Sequence, residues 1–443
     1  MLRFDLIYFL ILACLSPFIL LKLLLNARFR KTFLARLHPN LDVAKQTLNH
    51  HFPQNNIWVH AASIGEAGLA AKLIHTWKIK NPSYQFILSV GTLSGFESIS
   101  QNTDIPVILA PLDFSFMVKR VQRRFKASHL ILIETEIWPN MINIMAKIGM
   151  VTIVNGRLSD KHYGQYYRLK RLLKQTMRSI THVLAGDNIS KQRFFNLGVD
   201  QERIHKFGNM KFELPVIAEF EALKQLQSKY KINPQKPVFV AGSIQPEELD
   251  TIISAIQKIE NHDIQVIIIP RHPEKRHEFK QILDRLNINA FFTAGSDLNN
   301  INHKLNQVLV VDEIGVLRLF YQIASVIFVG GSLCNRGGQN MMEAIAFQKP
   351  VCVGPYATNF KQEMDLLLQV EGIKIIQDKE TLAQFIMFSL DQKSAAGKMA
   401  RQGYTLIKDN SGALESTIDF LGSAISKFSD RESYESKRDH SIR

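Results

Sequence analysis

The stretch Ser325–Pro355, SVIFVGGSLCNRGGQNMMEAIAFQKPVCVGP, limits the possible folds more than any other part of this chain. It reads as a buried strand over Ser325–Gly331, a glycine-rich loop over Ser332–Gly338, a short helix over Gln339–Gln348 and a second buried strand over Val351–Gly354. Two apolar strands joined through a helix form a βαβ unit, so they lie parallel. Gly330, Gly331, Gly337 and Gly338 clear side chains from the turn, which lets a phosphate approach the backbone and the first turn of the helix. Asn340 and Glu343 stand in that turn, and their spacing serves equally well as a capping box.

The same alternation fills the chain from Asn56 onward. Apolar runs at Asn56–Ala61, Tyr84–Val90, Val107–Ala110, His129–Ile133, Val151–Asn155 and His182–Ala185 alternate with helical stretches, and a second series follows at Pro237–Ala241, Gln265–Pro270, Val308–Asp312, Ser325–Gly331 and Val351–Gly354. Alternating strands and helices predict parallel sheets covered on both faces. The polar stretch Glu213–Lys236 separates the two series. The expectation is therefore an α/β protein of two doubly wound halves facing each other across a cleft. Ligands should gather at the carboxyl ends of the strands. A length of 443 residues, 46% hydrophobic, suits two such cores.

The N-terminus has its own character. Leu6–Leu21 carries no charge and Leu23–Leu25 extend it past Lys22, to about the 20 residues a bilayer requires. Arg28, Arg30, Lys31 and Arg36 follow it, and no small-residue cleavage site does. The pattern predicts an uncleaved anchor with the rest of the chain on the cytoplasmic side. The other reading is an interfacial helix that embeds without crossing, to which Pro17 and Lys22 point. The segmentation expected is 1–27 for the anchor, 35–214 for the first domain, 215–236 for a linker, 237–423 for the second domain and 424–443 for a polar, disordered tail. Cys14, Cys334 and Cys352 are too few and scattered for a disulfide framework or a zinc site. A net charge of +14 predicts an anionic partner, whether nucleic acid, an acidic membrane or a phosphorylated substrate.

Five further motifs fall at predicted strand ends. HAASIGE brings Glu66 to the start of a helix, where it is placed either to take a proton from a hydroxyl or to close a capping box with Ser63. ETEIWPN ends a strand with Glu134 and Glu136, which need partners because a buried, unpaired carboxylate is costly. One suits a structural salt bridge and the other the stabilisation of charge. GNMKFE carries Lys211 to the end of the first half, and PRHPE places Arg271 between prolines after a strongly apolar strand. Arginine there suits a phosphate, which its planar fork binds through paired hydrogen bonds. In VVDEIGVLRLF, Gly315 opens a helix after a strand.

With HAASIGE, ETEIWPN, NGRLSD, GNMKFE, PRHPE and VGGSLCNRGGQNMMEAIAFQKPVCVGP in this order, the chain resembles the 3-deoxy-D-manno-octulosonic acid (Kdo) transferases of lipid A assembly from the N-terminus to about Gly422. The resemblance implies a GT-B fold of two Rossmann-like domains, and inverting transfer of Kdo from CMP-Kdo to the lipid A precursor at the cytoplasmic face of the inner membrane. It implies that Glu66 is the general base and that Glu136 and Lys211 stabilise the transition state. Pro270, Arg271, Ile314, Gly315, Val316 and the run Asn340, Met341, Met342 and Glu343 would contact CMP. No Asp-x-Asp motif occurs, so protein cations rather than a divalent metal are expected to offset the leaving phosphate, and no cofactor is expected. Val316 and Gln339 depart from the family pattern of an acid and a histidine, which leaves only backbone contacts to be expected there.

The positive charge then has a use. Val118–Lys126 and Arg157–Arg178 place cations beside Tyr163, Tyr166, Tyr167 and Leu172 on predicted helices, surfaces suited to an anionic membrane or to the acceptor's phosphates. Ordinary solvated helix faces have the same composition. The alternatives are another GT-B nucleotide-sugar enzyme, a UDP-sugar transferase or epimerase, and a basic, membrane-tethered anion binder without catalysis. Neither requires both SIGE and ETEIWPN, and nucleic acid is not expected as a partner.

Overall fold

A computed structural model of the chain describes residues 2–37, 41, 56–100, 103–214, 217–259, 263–295, 301 and 307–441. Two compact units emerge, one of Met1–Lys211 with Gly412–Arg443 and one of Phe212–Ser411.

The first unit is built on β1 (Asn56–Ala61), β2 (Gln85–Val90), β3 (Val107–Leu109), β4 (His129–Ile133), β5 (Val151–Gly156), β6 (His182–Ala185) and β7 (Ile204–Lys206). They form one sheet in the order β3-β2-β1-β4-β5-β6-β7. Every pairing is parallel, with Trp58 opposite both Ile87 and Leu130. All residues of β1, β4 and β5 are buried, as strands covered on both faces must be. The order reverses between β1 and β4. Their carboxyl ends therefore flank the crevice where a doubly wound sheet binds ligands.

The second unit repeats the plan with β8 (Val238–Ile244), β9 (Gln265–Pro270), β10 (Asn289–Phe292), β11 (Gln307–Val310), β12 (Val326–Val329), β13 (Val351–Val353) and β14 (Lys374–Ile375). The order is β10-β11-β9-β8-β12-β13-β14, so the reversal lies between β8 and β12. The short strands β7, β10 and β14 are absent from the sequence reading.

Three expectations need correction. The stretch 215–236, expected as a linker, packs one side onto the second unit: Leu226 and Tyr230, on and just after the helix Phe220–Lys229, are buried there with Phe212 and Ile232, and the Tyr230 ring lies 5.2 Å from that of Phe320. Residues 215 and 216 fall outside the described residues. The tail expected from Ala424 is instead part of a helix, Ala413–Ser441, which returns to the first unit. Leu414, Ile418, Leu421 and Ile425 recur at helical spacing and are buried there against Ile57, Leu73 and Trp77. The polar composition of the tail masked this apolar stripe.

The third correction concerns the N-terminus. Among the described residues no helix is long and apolar enough to cross a membrane. Leu2–Leu25 is one continuous helix whose first turns are tied to the first unit. Phe4 is buried, the Asp5 carboxylate accepts from the Ser115 N–H (2.9 Å) and the Asn140 amide (2.8 Å), and the Tyr8 hydroxyl donates to Asp113 (2.9 Å). Leu6, Phe9, Phe18 and Leu24 remain more than half exposed.

Candidate functional site

In the first unit, the turn after β1 and the turn after β4 bring carboxylates together. Ser63 caps the helix Ile64–Lys80, and its hydroxyl oxygen accepts from the Glu66 N–H (3.3 Å). The Glu66 carboxylate reaches back, accepting from the Ala62 N–H at 2.8 Å on one oxygen and from the Ser63 hydroxyl at 2.8 Å on the other. The capping role is therefore real, yet the same bonds hold the carboxylate at the crevice. Burial, and then the charge of Glu134, raise the Glu66 pKa, while the bonds from Ala62 and Ser63 oppose the rise. A carboxylate so tuned is a better proton acceptor than a solvated one.

Glu134 follows β4 with φ of +61°, a left-handed conformation that only a well-determined surrounding sustains in a residue with a side chain. Its N–H continues the sheet to Val154 O (2.8 Å). Its Oε1 lies 2.9 Å from Lys211 Nζ, an ion pair by distance although off the line of a good hydrogen bond. Lys211 is held there through Asn155, also left-handed at φ of +54°, whose side-chain oxygen accepts from the Met210 N–H at 3.0 Å. Lys211 thus pairs with Glu134 rather than with Glu136. Glu136 accepts from the Trp138 indole N–H at 2.8 Å, and burial followed by the charge of Glu66 pushes its pKa to about 7. Glu66, Glu134, Glu136 and Lys211 therefore make one acidic cluster with a single lysine in it.

Two neighbours of this cluster went unassigned by sequence. His60, the first residue of HAASIGE, is buried, with Nε2 3.9 Å from Glu136 Oε2. Arg36, on the helix Ala27–Leu37, donates to the carbonyls of Ala110 (3.0 Å) and Pro111 (3.4 Å) beside Trp138. In the sequence, Arg36 is one of several cations flanking the apolar helix, and nothing local distinguishes it.

In the second unit, Pro270 ends β9, and Arg271 follows it with its N–H bonded to Ile244 O (2.9 Å). The guanidinium of Arg271 has no partner among the described residues, and it is exposed. Ile314 is 82% exposed, Gly315 has φ of +88°, and Val316 precedes the helix Leu317–Ile323 without a side-chain cap. Asn340 and Glu343 bond to each other (3.2 Å), Asn340 also accepts from the Met342 N–H (3.2 Å), and Arg318 lies 3.3 Å from Glu343.

Here the structure changes two expectations. The helix expected over Gln339–Gln348 is a single turn, Met342–Ile345, because Gly337 and Gly338 at positive φ hold the chain in a loop and Gln348 at φ of +55° ends it. The side chains of Met341 and Met342 are buried in the core, so only their backbones are available to a ligand. The glycine loop itself is already occupied by an internal anion. Glu248, fully buried, accepts from the N–H groups of Gly331 (2.7 Å), Ser332 (3.0 Å), Leu333 (2.9 Å) and Gln245 (2.9 Å). These amides, expected to meet a ligand's phosphate, serve the fold. A buried carboxylate after β8, in GSIQPEE, was the sequence signal.

A family model described as 3-deoxy-D-manno-octulosonic-acid transferase (kdotransferase) matches residues 24–214. A 3-deoxy-D-manno-octulosonic acid transferase of Haemophilus influenzae is 29% identical over 377 residues, spanning 83% of this chain and 87% of its own length. The chain is thus similar to Kdo transferases over most of its length, and these relatives support glycosyltransferase activity. A bifunctional glycosyltransferase/methyltransferase of Fusobacterium nucleatum is 32% identical over 337 residues, 74% of this chain, and the chain spans only about half (51%) of that relative. A crystal structure of a glycosyltransferase from Rickettsia africae superposes with a TM-score of 0.51 at 14% identity, covering 84% of this chain and 98% of that one, which shows a GT-B-like fold.

Proposed function

We propose that this chain transfers Kdo from CMP-Kdo to a lipid A precursor, with inversion, at the cytoplasmic face of the inner membrane. The observation that carries this reading is the acidic cluster at the reversal point of the first sheet, where Glu66 and Glu136 both have raised pKa values and Lys211 lies in an ion pair with Glu134. Glu66 takes the proton from an acceptor hydroxyl as its oxygen bonds to the anomeric carbon of Kdo. The bond from that carbon to the CMP phosphate breaks, and CMP leaves with the electron pair. Glu136 and Lys211 stabilise the charge that develops on the sugar. In the second unit, Pro270, Arg271, the turn Ile314–Val316 and the run Asn340–Glu343 hold CMP, and the free guanidinium of Arg271 offsets the departing phosphate without a divalent metal.

The exposed side of the helix Leu2–Leu25 embeds in the membrane surface. Lys170, Arg171, Lys174 and Arg178 line a groove of about 930 Å3 in the same unit and add attraction to anionic headgroups. Replacing Lys170, Arg171 and Lys174 together by glutamine should weaken binding to anionic vesicles. Unchanged binding and activity would remove these cations from the reading.

The decisive experiment incubates the protein with CMP-Kdo and a tetraacylated lipid A precursor and measures product mass. Wild type should add Kdo, and Glu66→Ala should lose about 100-fold or more in kcat. A wild-type protein that leaves both substrates unchanged, or a Glu66→Ala variant as active as wild type, overturns the assignment. Thermal stabilisation by UDP but not by CMP would favour a different nucleotide-sugar enzyme.

A further inference from the structure

Glu136 sits among groups that oppose its charge, and its surroundings show how that charge is kept. Its only hydrogen-bond donor among the described residues is the Trp138 indole (2.8 Å). Behind that ring lie two residues from separate parts of the chain. The Arg36 guanidinium lies 5.9 Å from the centre of the Trp138 ring and is fixed by two backbone carbonyls after β3. The His60 ring meets the Trp138 ring edge to face at 6.2 Å.

The His60 ring is oriented from one side by its partners. Ser89 Oγ accepts from the Trp58 indole (2.8 Å), and it lies 2.9 Å from His60 Nδ1 but 3.5 Å from Val59 O. The Ser89 contact uses Nδ1 and leaves Nε2 as the ring nitrogen turned towards Glu136. That Nε2 is buried, has no other partner, and faces Glu136 Oε2 at 3.9 Å. Burial and the nearby Arg36 charge keep the ring neutral, with a pKa of about 3. Trp58 and Ser89 thus orient the His60 ring, whose Nε2 faces the Glu136 carboxylate at 3.9 Å, beyond hydrogen-bond distance.

We infer that Arg36 and His60 are positioning residues that hold Glu136 ionised and aimed at the reacting sugar, so the helix that follows the apolar N-terminal helix completes the active site. Neither touches the reacting atoms; both act through Glu136 and Trp138. The inference rests on the Kdo-transfer reading above. The charged and titratable groups acting on Glu136 are Glu66 and Glu134, which raise its pKa, Arg36, which lowers it, His60, held neutral, and Tyr166, whose hydroxyl burial and then the Glu136 charge push up to about 12.

The test uses the full chain as wild type, Arg36→Gln, Arg36→Lys, His60→Gln, His60→Ala and, as a charge-matched control, Lys224→Gln. Arg36→Gln should lower kcat about tenfold or more with KM for CMP-Kdo within about twofold. The acidic limb of its kcat profile should move up by about 0.5 pH unit or more, since losing a cation raises the Glu136 pKa. Arg36→Lys should recover part of both effects, His60→Gln should retain more activity than His60→Ala, and Lys224→Gln should match wild type. Wild-type kcat and an unshifted limb in Arg36→Gln overturn the inference, as does a loss that Arg36→Lys cannot rescue and that follows thermal stability alone. The titration of Glu136, read by carboxyl-carbon NMR with Glu136→Gln to assign the signal, provides a check independent of turnover. If wild type fails to transfer Kdo, the function assignment falls, while an upward shift of the Glu136 midpoint in Arg36→Gln still supports the coupling and an unshifted midpoint removes it.

Discussion

At the scale of single residues, the two units solve one problem in opposite ways. Each sheet reverses its strand order beside a carboxylate, but Glu66 is left partly open with oxygens that still have lone pairs free, whereas Glu248 spends both oxygens on four backbone N–H groups. The difference separates a reactive group from a structural one. Glu248→Ala removes a single acceptor group and strands donors that are already buried, each costing about 1–3 kcal/mol if water does not reach it. The expected loss is about 3–5 kcal/mol of the second unit's stability, measured by urea unfolding. Glu248→Gln should be nearly as damaging, because its amide nitrogen would face N–H donors. A glutamine variant that unfolds at the wild-type urea concentration would show that the anion is dispensable to the loop.

At the scale of elements, strands were legible wherever both faces are buried, because β1, β4 and β9 are predominantly apolar runs that suit a sheet covered on both faces. The edge strands β7, β10 and β14 are two to four residues long and partly exposed, so their sequences carry no such signal. Motif residues were legible one at a time, but their pairing was not: nothing in ETEIWPN tells which glutamate Lys211 will meet, since that depends on Asn155 folding the GNMKFE turn onto β5. The C-terminal helix was hidden for a related reason. Its apolar stripe is diluted by charged residues, and its partners lie more than 200 residues away in sequence. Phe420 packs on His182 (5.1 Å) and His205 (5.0 Å), and Phe428 packs on His129 (5.8 Å). Burial lowers the pKa of His129 and of His182 to about 4. A folded pKa below the unfolded value near 6.5 means that stability is full above pH 6.5 and is lost as pH falls towards 4, since the unfolded chain takes up protons that the folded one refuses. His129 alone accounts for about 2 kcal/mol at pH 4.5. Melting temperature should therefore fall between pH 7 and pH 4.5, and His129→Phe should flatten part of that fall. An identical slope in the variant would assign the acid sensitivity elsewhere.

At the scale of the whole molecule, the chain is threaded so that the second unit is continuous and the first is not. Phe212–Ser411 contains all seven strands of its sheet and two buried clusters of its own, in which Phe212 and Leu226 are already core. The first unit closes only when Gly412–Arg443 returns, because Leu414, Ile418, Leu421 and Ile425 cover apolar side chains of the helix Ile64–Lys80 and of β1. The two fragments should then behave differently. The fragment 212–411 should fold alone, melt cooperatively and be stabilised by CMP, because among the described residues both of its buried clusters are built from within it. The fragment 2–211 exposes four large aliphatic side chains' worth of buried surface, on the order of 6–12 kcal/mol at about 1.5–3 kcal/mol each. That is comparable to the whole stability of a domain. It should be unfolded or aggregated when expressed alone and should recover a cooperative transition when a peptide of residues 412–441 is supplied. A soluble, cooperatively melting 2–211 fragment would show that the returning helix is a surface attachment, and a 212–411 fragment that fails to fold would show that the linear continuity of the second unit does not make it self-sufficient.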